Sequence, residues 1–323
     1  MIKLWRFAML RLSKLVVSRS LAWLLCFVLS ATALVQDRVA RDATVAPLIY
    51  LPAMFVFRRH VVEQERMLEF YGDVLGFEKL PNMGQTGQVG RVKVGATEFK
   101  LVPRSYASFQ RPGVDDQYPK GGVKDATGFR LTGFFFADEA ALVARFKQRR
   151  YPVPVFRSLP GSANRVALTT DPDGQAVELT IVQDGSAATY QQFEIGLTVS
   201  SIEKSRAFYR DFMGLEELAP VEDPVFGTTK YSFRNGSTIV SLRSFGANLP
   251  ADKTSGLIQV LVTDVDRVQQ IAKERGITID RPNTRPRDAP LRIAWLDDPD
   301  GVTQYVTETA ESRAAAAPAP ARQ

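Results

Sequence analysis

The sequence predicts an α+β chain: four strand–helix–three-strand (βαβββ) modules that form two open β-cup domains. Three observations carry this. The segment Phe70-Tyr71-Gly72-Asp73-Val74-Leu75-Gly76-Phe77-Glu78-Lys79-Leu80 returns 138 residues on as Phe208-Tyr209-Arg210-Asp211-Phe212-Met213-Gly214-Leu215-Glu216-Glu217-Leu218, with six of eleven positions identical. The turn Asp171-Pro172-Asp173-Gly174 returns as Asp298-Pro299-Asp300-Gly301, 127 residues on. Two motifs recurring in one order at similar spacing mark an internal duplication. Within each half, strand periodicity brackets a helical period twice, which splits the halves into quarters.

The elements follow in order. An apolar strand spans residues 54–61, and Met67, Tyr71 and Val74 then share one face of a helix. Strands at Arg91–Val94 and Glu98–Val102 turn at Gly95. The second quarter opens with a strand at Phe129–Phe136 and a helix at Glu139–Arg149 that carries Leu142, Val143 and Phe146 on one face. Strands at Arg165–Thr169 and Ala176–Val182 flank the first Asp-Pro-Asp-Gly turn, where Pro and Gly set the dihedrals of a tight reversal. In the second half, Phe193–Val199 precedes a helix carrying Ile202, Phe208, Tyr209 and Phe212. Leu257–Val262 precedes one carrying Val265, Val268, Ile271 and Ala272. The run Phe134-Phe135-Phe136 reads as core.

A strand, a helix ending in Phe-Tyr-x-Asp-x-x-Gly, three strands and a closing Asp-Pro-Asp-Gly-x-x-x-Glu resemble the vicinal oxygen chelate superfamily. That group contains glyoxalase I, extradiol dioxygenases, and the bleomycin and fosfomycin resistance proteins. The resemblance covers roughly residues 52–310. It implies glyoxalase-like open cups built from paired modules, at 52–184 and 190–310. It leaves function open, because the scaffold serves unrelated chemistries. Cup closure within one chain and closure by exchange between chains, as in a homodimer, stay open as well.

The resemblance also implies where a divalent metal would sit, held by His, Gln or Glu from the first and fourth strands of each module. In the first half those positions fall on Val56, Lys100, Thr132 and Glu178, and in the second on Glu194, Ser241, Ile258 and Tyr305. With one carboxylate in each half, no metal or other cofactor is expected. A Lys100–Glu178 ion pair is expected at the former metal position, since a lone buried charge costs about 3–5 kcal/mol. Glu194, Ser241, Arg243 and Tyr305 are the candidate ligand-binding residues of the second cup. Glu194 and Tyr305 double as candidate proton-transfer groups. His60, the only histidine, shares a strand face with Val56 and Arg58. It reads either as a substrate-facing donor or as a hydrogen-bonded residue at the strand end.

The chain's +6 charge belongs to its first residues. Residues 1–20 hold Lys3, Arg6, Arg11, Lys14 and Arg19 without an acid, and the apolar run 21–35 ends near Ala31-Thr32-Ala33. This reads as a secretory signal over 1–33, with export to the periplasm, or as an uncleaved anchor in the inner membrane through 21–35. Cleavage after Ala33 leaves 36 basic against 35 acidic residues, which removes the case for a nucleic-acid partner, and takes Cys26, the only cysteine. Residues 34–51 read as a linker and 311–323 as a disordered Ala/Pro tail. The function expected first is binding of a small molecule without metal. An enzyme of glyoxalase, dioxygenase or metal-independent acid–base type stands second, and an interaction protein without a specific ligand third.

Overall fold

The computed structural model describes residues 43–84, 87–106 and 121–316. The signal and anchor readings of 1–33 and 21–35 lie outside these residues, as do 34–42 of the linker and 317–323 of the tail. Among the described residues no helix is long and apolar enough to cross a membrane.

Four βαβββ modules are present. The first comprises β1 (Phe55–Val61), α1 (Gln64–Leu68, continuing as a π-helix Glu69–Val74), β2 (Glu78–Met83), β3 (Val89–Val94) and β4 (Thr97–Pro103). The second comprises β5 (Gly128–Phe136), α2 (Glu139–Gln148), β6 (Arg157–Ser158), β7 (Arg165–Thr170) and β8 (Ala176–Ile181). A short α3 (Ala187–Tyr190) leads into the third, with β9 (Phe193–Thr198), α4 (Ile202–Arg206, continuing as a π-helix Ala207–Phe212), β10 (Glu216–Glu217), β11 (Val221–Asp223), β12 (Thr228–Asn235) and β13 (Thr238–Arg243). The fourth comprises β14 (Gly256–Leu261), α5 (Val265–Glu274), β15 (Ile279–Arg281), β16 (Leu291–Asp297) and β17 (Thr303–Thr309), followed by α6 (Ala310–Ala315).

The expected fold class holds, but the sheets do not coincide with the halves of the sequence. One sheet has the order β15-β16-β17-β14-β1-β4-β3-β2, joining the first module to the fourth. The other runs β10-β12-β13-β9-β5-β8-β7-β6, joining the second module to the third. The joints are antiparallel, with Phe55 opposite Gln259 in β1–β14 and Gly133 opposite Glu194 in β5–β9. Each sheet thus draws one module from either half of the sequence, an outer pair and an inner pair.

The repeated motifs shape the packing. In both Phe-Tyr-x-Asp segments the helix widens by one residue, with Leu75 N–H donating to Phe70 O and Met213 N–H to Phe208 O, both at 2.9 Å. Phe70 and Tyr71, like Phe208 and Tyr209, thereby both face inward and are buried. Each helix ends at a left-handed residue, Gly76 (φ 88°) and Gly214 (φ 73°), the conformation that makes glycine the motif's closing residue. The two motifs then meet. Tyr71 donates its hydroxyl to Asp171 Oδ2 at 3.0 Å, and Tyr209 donates to Asp298 Oδ2 at 2.9 Å. Between the sheets, Phe99 of β4 packs on Phe193 of β9, whose ring also meets Phe134 of the neighbouring strand β5, both with centroids 5.2 Å apart.

Both ends of the described body are more ordered than composition suggests. Val45, inside the expected linker, is fully buried and donates its N–H to Phe212 O. The expected tail begins as α6, where Thr309 and Ser312 form a reciprocal capping box and the buried Ser312 hydroxyl donates to Val262 O at 2.7 Å.

Candidate functional site

Each sheet has an inner face where the first and fourth strands of two modules converge. In the sheet of modules two and three, Gly133 of β5 lies in register with Glu178 of β8 and with Glu194 of β9. A Cβ at position 133 would stand 2.9 Å from Glu194 Cβ, so the glycine is what admits two carboxylates to one floor. Glu194 accepts the Ser241 hydroxyl at 2.6 Å, with Lys230 Nζ and Arg243 Nη2 each at 3.3 Å. Arg243 also bonds Asp223 Oδ2 through Nε at 2.7 Å and the Ser241 hydroxyl through Nη1 at 2.9 Å, with the Phe226 ring 5.1 Å above. Glu178 Oε2 lies 3.9 Å from Arg243 Nη2, beyond hydrogen-bond distance, and is buried with no hydrogen-bond partner among the described residues.

The two carboxyl groups separate electrostatically. Burial and the neighbouring Glu194 charge push Glu178 up to about 7 against the pull of Arg243. Burial also opposes ionisation of Glu194, but Lys230, Arg243 and the Ser241 hydroxyl outweigh it and hold its carboxylate at about 2.

The other inner face is aromatic. Phe57, Val89, Val102, Leu257 and Trp295 form its buried floor, with Met83, Tyr106, Ile293 and Tyr305 half-buried around them. Tyr305 stands edge-on to Phe57 and to Trp295, at 5.9 and 5.1 Å. Lys100 is buried in this apolar surround. Its ammonium donates to Gln259 Oε1 at 2.8 Å and lies 4.6 Å from the centroids of both Phe55 and Phe57. Gln259 in turn donates to the Thr307 hydroxyl at 2.9 Å, which fixes which end of the amide faces the lysine. Burial, aided by Arg91 and opposed by Glu98, lowers the Lys100 ammonium to about 8, and burial pushes the Tyr305 hydroxyl up to about 12.

Several expectations need correction. Lys100 and Glu178 form no ion pair, because β4 and β8 belong to different sheets; the nearest carboxylate to Lys100 is Glu98 at 3.9 Å. Glu194, Ser241 and Arg243 do meet, but Tyr305 stands instead against Phe57, the ring that Lys100 also flanks, again because of module pairing. At three first-strand positions the inward residue is the neighbour of the one expected. Phe57 rather than Val56 meets Tyr305, Gly133 rather than Thr132 lies between the glutamates, and Gln259 rather than Ile258 bonds Lys100. For β1 the cause is a register shift between Arg58 and Val61 that breaks strand alternation. His60 sits in that shift with φ 59°, and it lines a cavity on the far side of β1 with Arg58 and Gln175. Lys230, Asp223 and Gln259 escaped the sequence reading because only the order of strands brings them to the glutamates and to Lys100.

On both floors the chain's own charges stand at the positions where the resemblance implies a divalent ion. In one, the chain's own guanidinium and ammonium already stand against Glu194. In the other, an ammonium occupies the centre with no carboxylate within hydrogen-bond distance. Among the described residues no group of three or more His, Cys, Asp or Glu side chains is placed to hold a metal.

The comparisons with known proteins agree with this architecture. The family model of the Glyoxalase/Bleomycin resistance protein/Dioxygenase superfamily matches residues 57–179 and 191–304. The crystal structure of glyoxalase I from Zea mays superposes with a TM-score of 0.57 at 19% identity, covering 79% of this chain and 91% of that one. That of a putative dioxygenase from Bacillus subtilis gives 0.54 at 15% identity, covering 83% and 87%. No curated protein sequence matches the chain. With both family matches falling on the four modules, the chain belongs to the Glyoxalase/Bleomycin resistance protein/Dioxygenase superfamily.

Proposed function

We propose that this chain binds a small, ring-bearing organic anion without metal, on the aromatic inner face shared by modules one and four. The observation that carries the reading is Lys100, a buried cation with one hydrogen bond, to a neutral amide, and two aromatic rings beside it. A ligand carboxylate or enolate would supply a closer counter-charge than Glu98 at 3.9 Å, and Phe57, Tyr305 and Trp295 would supply flat apolar contact. The other floor lacks this demand, since Arg243 and Lys230 already meet Glu194 and Asp223. The N-terminal signal adds the proposal that binding takes place outside the cytoplasm, in which case N-terminal sequencing of the mature protein begins at Leu34.

The test is a thermal-shift screen of aromatic carboxylates on metal-free protein, since a ligand that binds only the folded state raises its melting temperature. Hits are expected at pH 7 with chelator present and to weaken above pH 8, as the ammonium loses its proton. Lys100→Met should abolish the shifts while raising the stability of the unliganded protein. Hits that survive Lys100→Met, or that require a divalent metal, overturn the reading.

One observation favours a second reading. Glu178 and Glu194 share a floor but ionise far apart, the arrangement a proton-transfer pair needs. On that reading Glu178, rather than Tyr305, partners Glu194. A compound from the screen would then be converted to product, with Glu178→Gln abolishing conversion; unchanged conversion by that variant would exclude the pair.

A further inference from the structure

The aromatic inner face continues beyond the surroundings of Lys100, as a row that crosses the sheet of modules one and four. Arg281 of β15 lies in register with Trp295 of β16, and Trp295 with Tyr305 of β17. Tyr305 lies in register with Gln259 of β14, which stands opposite Phe55 of β1, while Lys100 of β4 stands opposite Phe57. Residues paired across neighbouring strands share a face, so these side chains rise from one surface. The ring contacts follow the row. Phe57 meets Tyr305 at 5.9 Å and Tyr305 meets Trp295 at 5.1 Å, both edge-on.

The row carries a cation at each end. Lys100 Nζ lies 4.6 Å from the Phe57 centroid, and the Arg281 guanidinium carbon lies 4.2 Å from that of Trp295. Phe55, Tyr305 and Arg281 are half-buried, so the row is reached from solvent. Asp280 Oδ2 lies 3.6 Å from Arg281 Nε with both side chains partly exposed, a pairing that contributes little in water. A guanidinium holds five donors in a fixed fork, so it serves Asp280 and a further acceptor together. Against burial, which pushes the Tyr305 hydroxyl up, Arg285 and Arg281 both favour its ionised form. Positive potential thus reaches from this end to the middle ring.

The duplication supplies an internal comparison. The corresponding row of the other sheet runs Leu168, Glu178, Gly133, Glu194 and Ile239, each in register with the next, and holds no aromatic ring. Three rings flanked by cations are therefore an addition that the scaffold does not require. A monoanion seated at Lys100 leaves the Arg281 end of that addition unused. The spacing suits a longer molecule. Lys100 reaches across β1 to Gln259 of β14, and Arg281 leans over Trp295 of β16, two strands away from β14. With strands about 4.8 Å apart, the two charges stand on the order of 10–15 Å from each other.

We propose that the ligand of this face is a flat aromatic dianion of two fused or linked rings with an acid group at each end. One carboxylate meets Lys100, the rings lie along Phe57, Tyr305 and Trp295, and the other carboxylate meets Arg281. This rests on the aromatic-face reading above and assigns the far end of that site to a second acid group.

The experiment is calorimetric titration of the full chain at pH 7, with chelator present, using naphthalene-2,6-dicarboxylate and its mono-amide, which keeps the shape and one charge. The diacid is expected to bind at least about tenfold more tightly, the scale of one charge-assisted hydrogen bond. Arg281→Gln should bring the diacid down to the affinity of the mono-amide, and retained mono-amide binding shows that the variant is folded. Arg281→Met, which keeps the stem over Trp295, should do the same and covers the case in which the glutamine variant misfolds. If neither compound binds the wild type, the aromatic-face reading falls and this inference with it. Equal binding of the two by the wild type, or a diacid preference that survives in a folded Arg281 variant, overturns the inference alone and leaves the reading at Lys100 standing.

Discussion

At the scale of single residues, the inner faces show how burial and neighbours divide labour among like groups. Glu178 and Glu194 occupy flanking positions across Gly133, yet one is held near neutrality and the other well below. The first has a consequence for stability. Its folded-state pKa of about 7 stands above the ordinary 4.5, so between those values the folded protein keeps a proton that the unfolded chain has released. Stability therefore falls as pH rises through that window. Glu178→Gln should flatten this slope and leave the protein more stable than wild type at pH 8, by roughly 2 kcal/mol in urea denaturation. Asp298, also pushed up to about 7 by burial, keeps part of the slope in the variant. A variant with the wild-type pH profile would show that Glu178 is ionised in the folded protein. Lys100 works in the opposite sense. Lowered to about 8, it makes the folded protein gain stability between pH 8 and the unfolded value near 10.5, a gain Lys100→Met should remove.

At the scale of elements, the two motifs that reveal the duplication are two ends of one contact. The π-widened helix delivers Tyr71 to Asp171, and its repeat delivers Tyr209 to Asp298, so each helix is tied to the closing turn of the module that follows it in sequence. Removing the hydroxyl leaves a buried carboxyl group short of a donor. Tyr71→Phe and Tyr209→Phe should each cost about 1–3 kcal/mol in chemical denaturation. The two links share no residue, so the double variant should lose the sum to within about 0.5 kcal/mol. Losses below that figure in both single variants would reduce the motif to packing alone. The motifs were legible in the sequence because glycine, proline and aspartate mark their backbone geometry directly. Their mutual bond was not, since Tyr71 and Asp171 are 100 residues apart. Inward positions of the first strands were misread for a related reason. Alternation holds only while a strand stays regular, and the register shift around His60 moves the inner face of β1 from Val56 to Phe57.

At the scale of the whole molecule, what the sequence leaves undetermined is which module pairs with which. All four carry the same strand order, and any two could share a sheet edge as far as their hydrophobic patterns go. The candidate residues sort differently under each pairing. Joining the outer modules sets Tyr305 and Lys100 beside the same Phe57 ring, and joining the inner ones brings Glu178 to Glu194 and Arg243. The glutamate site and the aromatic site are thus products of topology. This has a mechanical corollary. A cut in the connection between modules two and three severs no hydrogen bond of a sheet, yet each half carries away one edge of both central joints, β1 from β14 and β5 from β9. Residues 44–186 expressed alone should therefore fail to fold as a monomer, giving poor amide dispersion by NMR and a dimer or aggregate by light scattering, because two bare strand edges seek partners. Residues 187–316 should behave likewise, and mixing the two during refolding should restore the native spectrum through the same joints. Two independently folded monomeric halves would instead place each cup within one half of the sequence and dissolve both sites as assembled here.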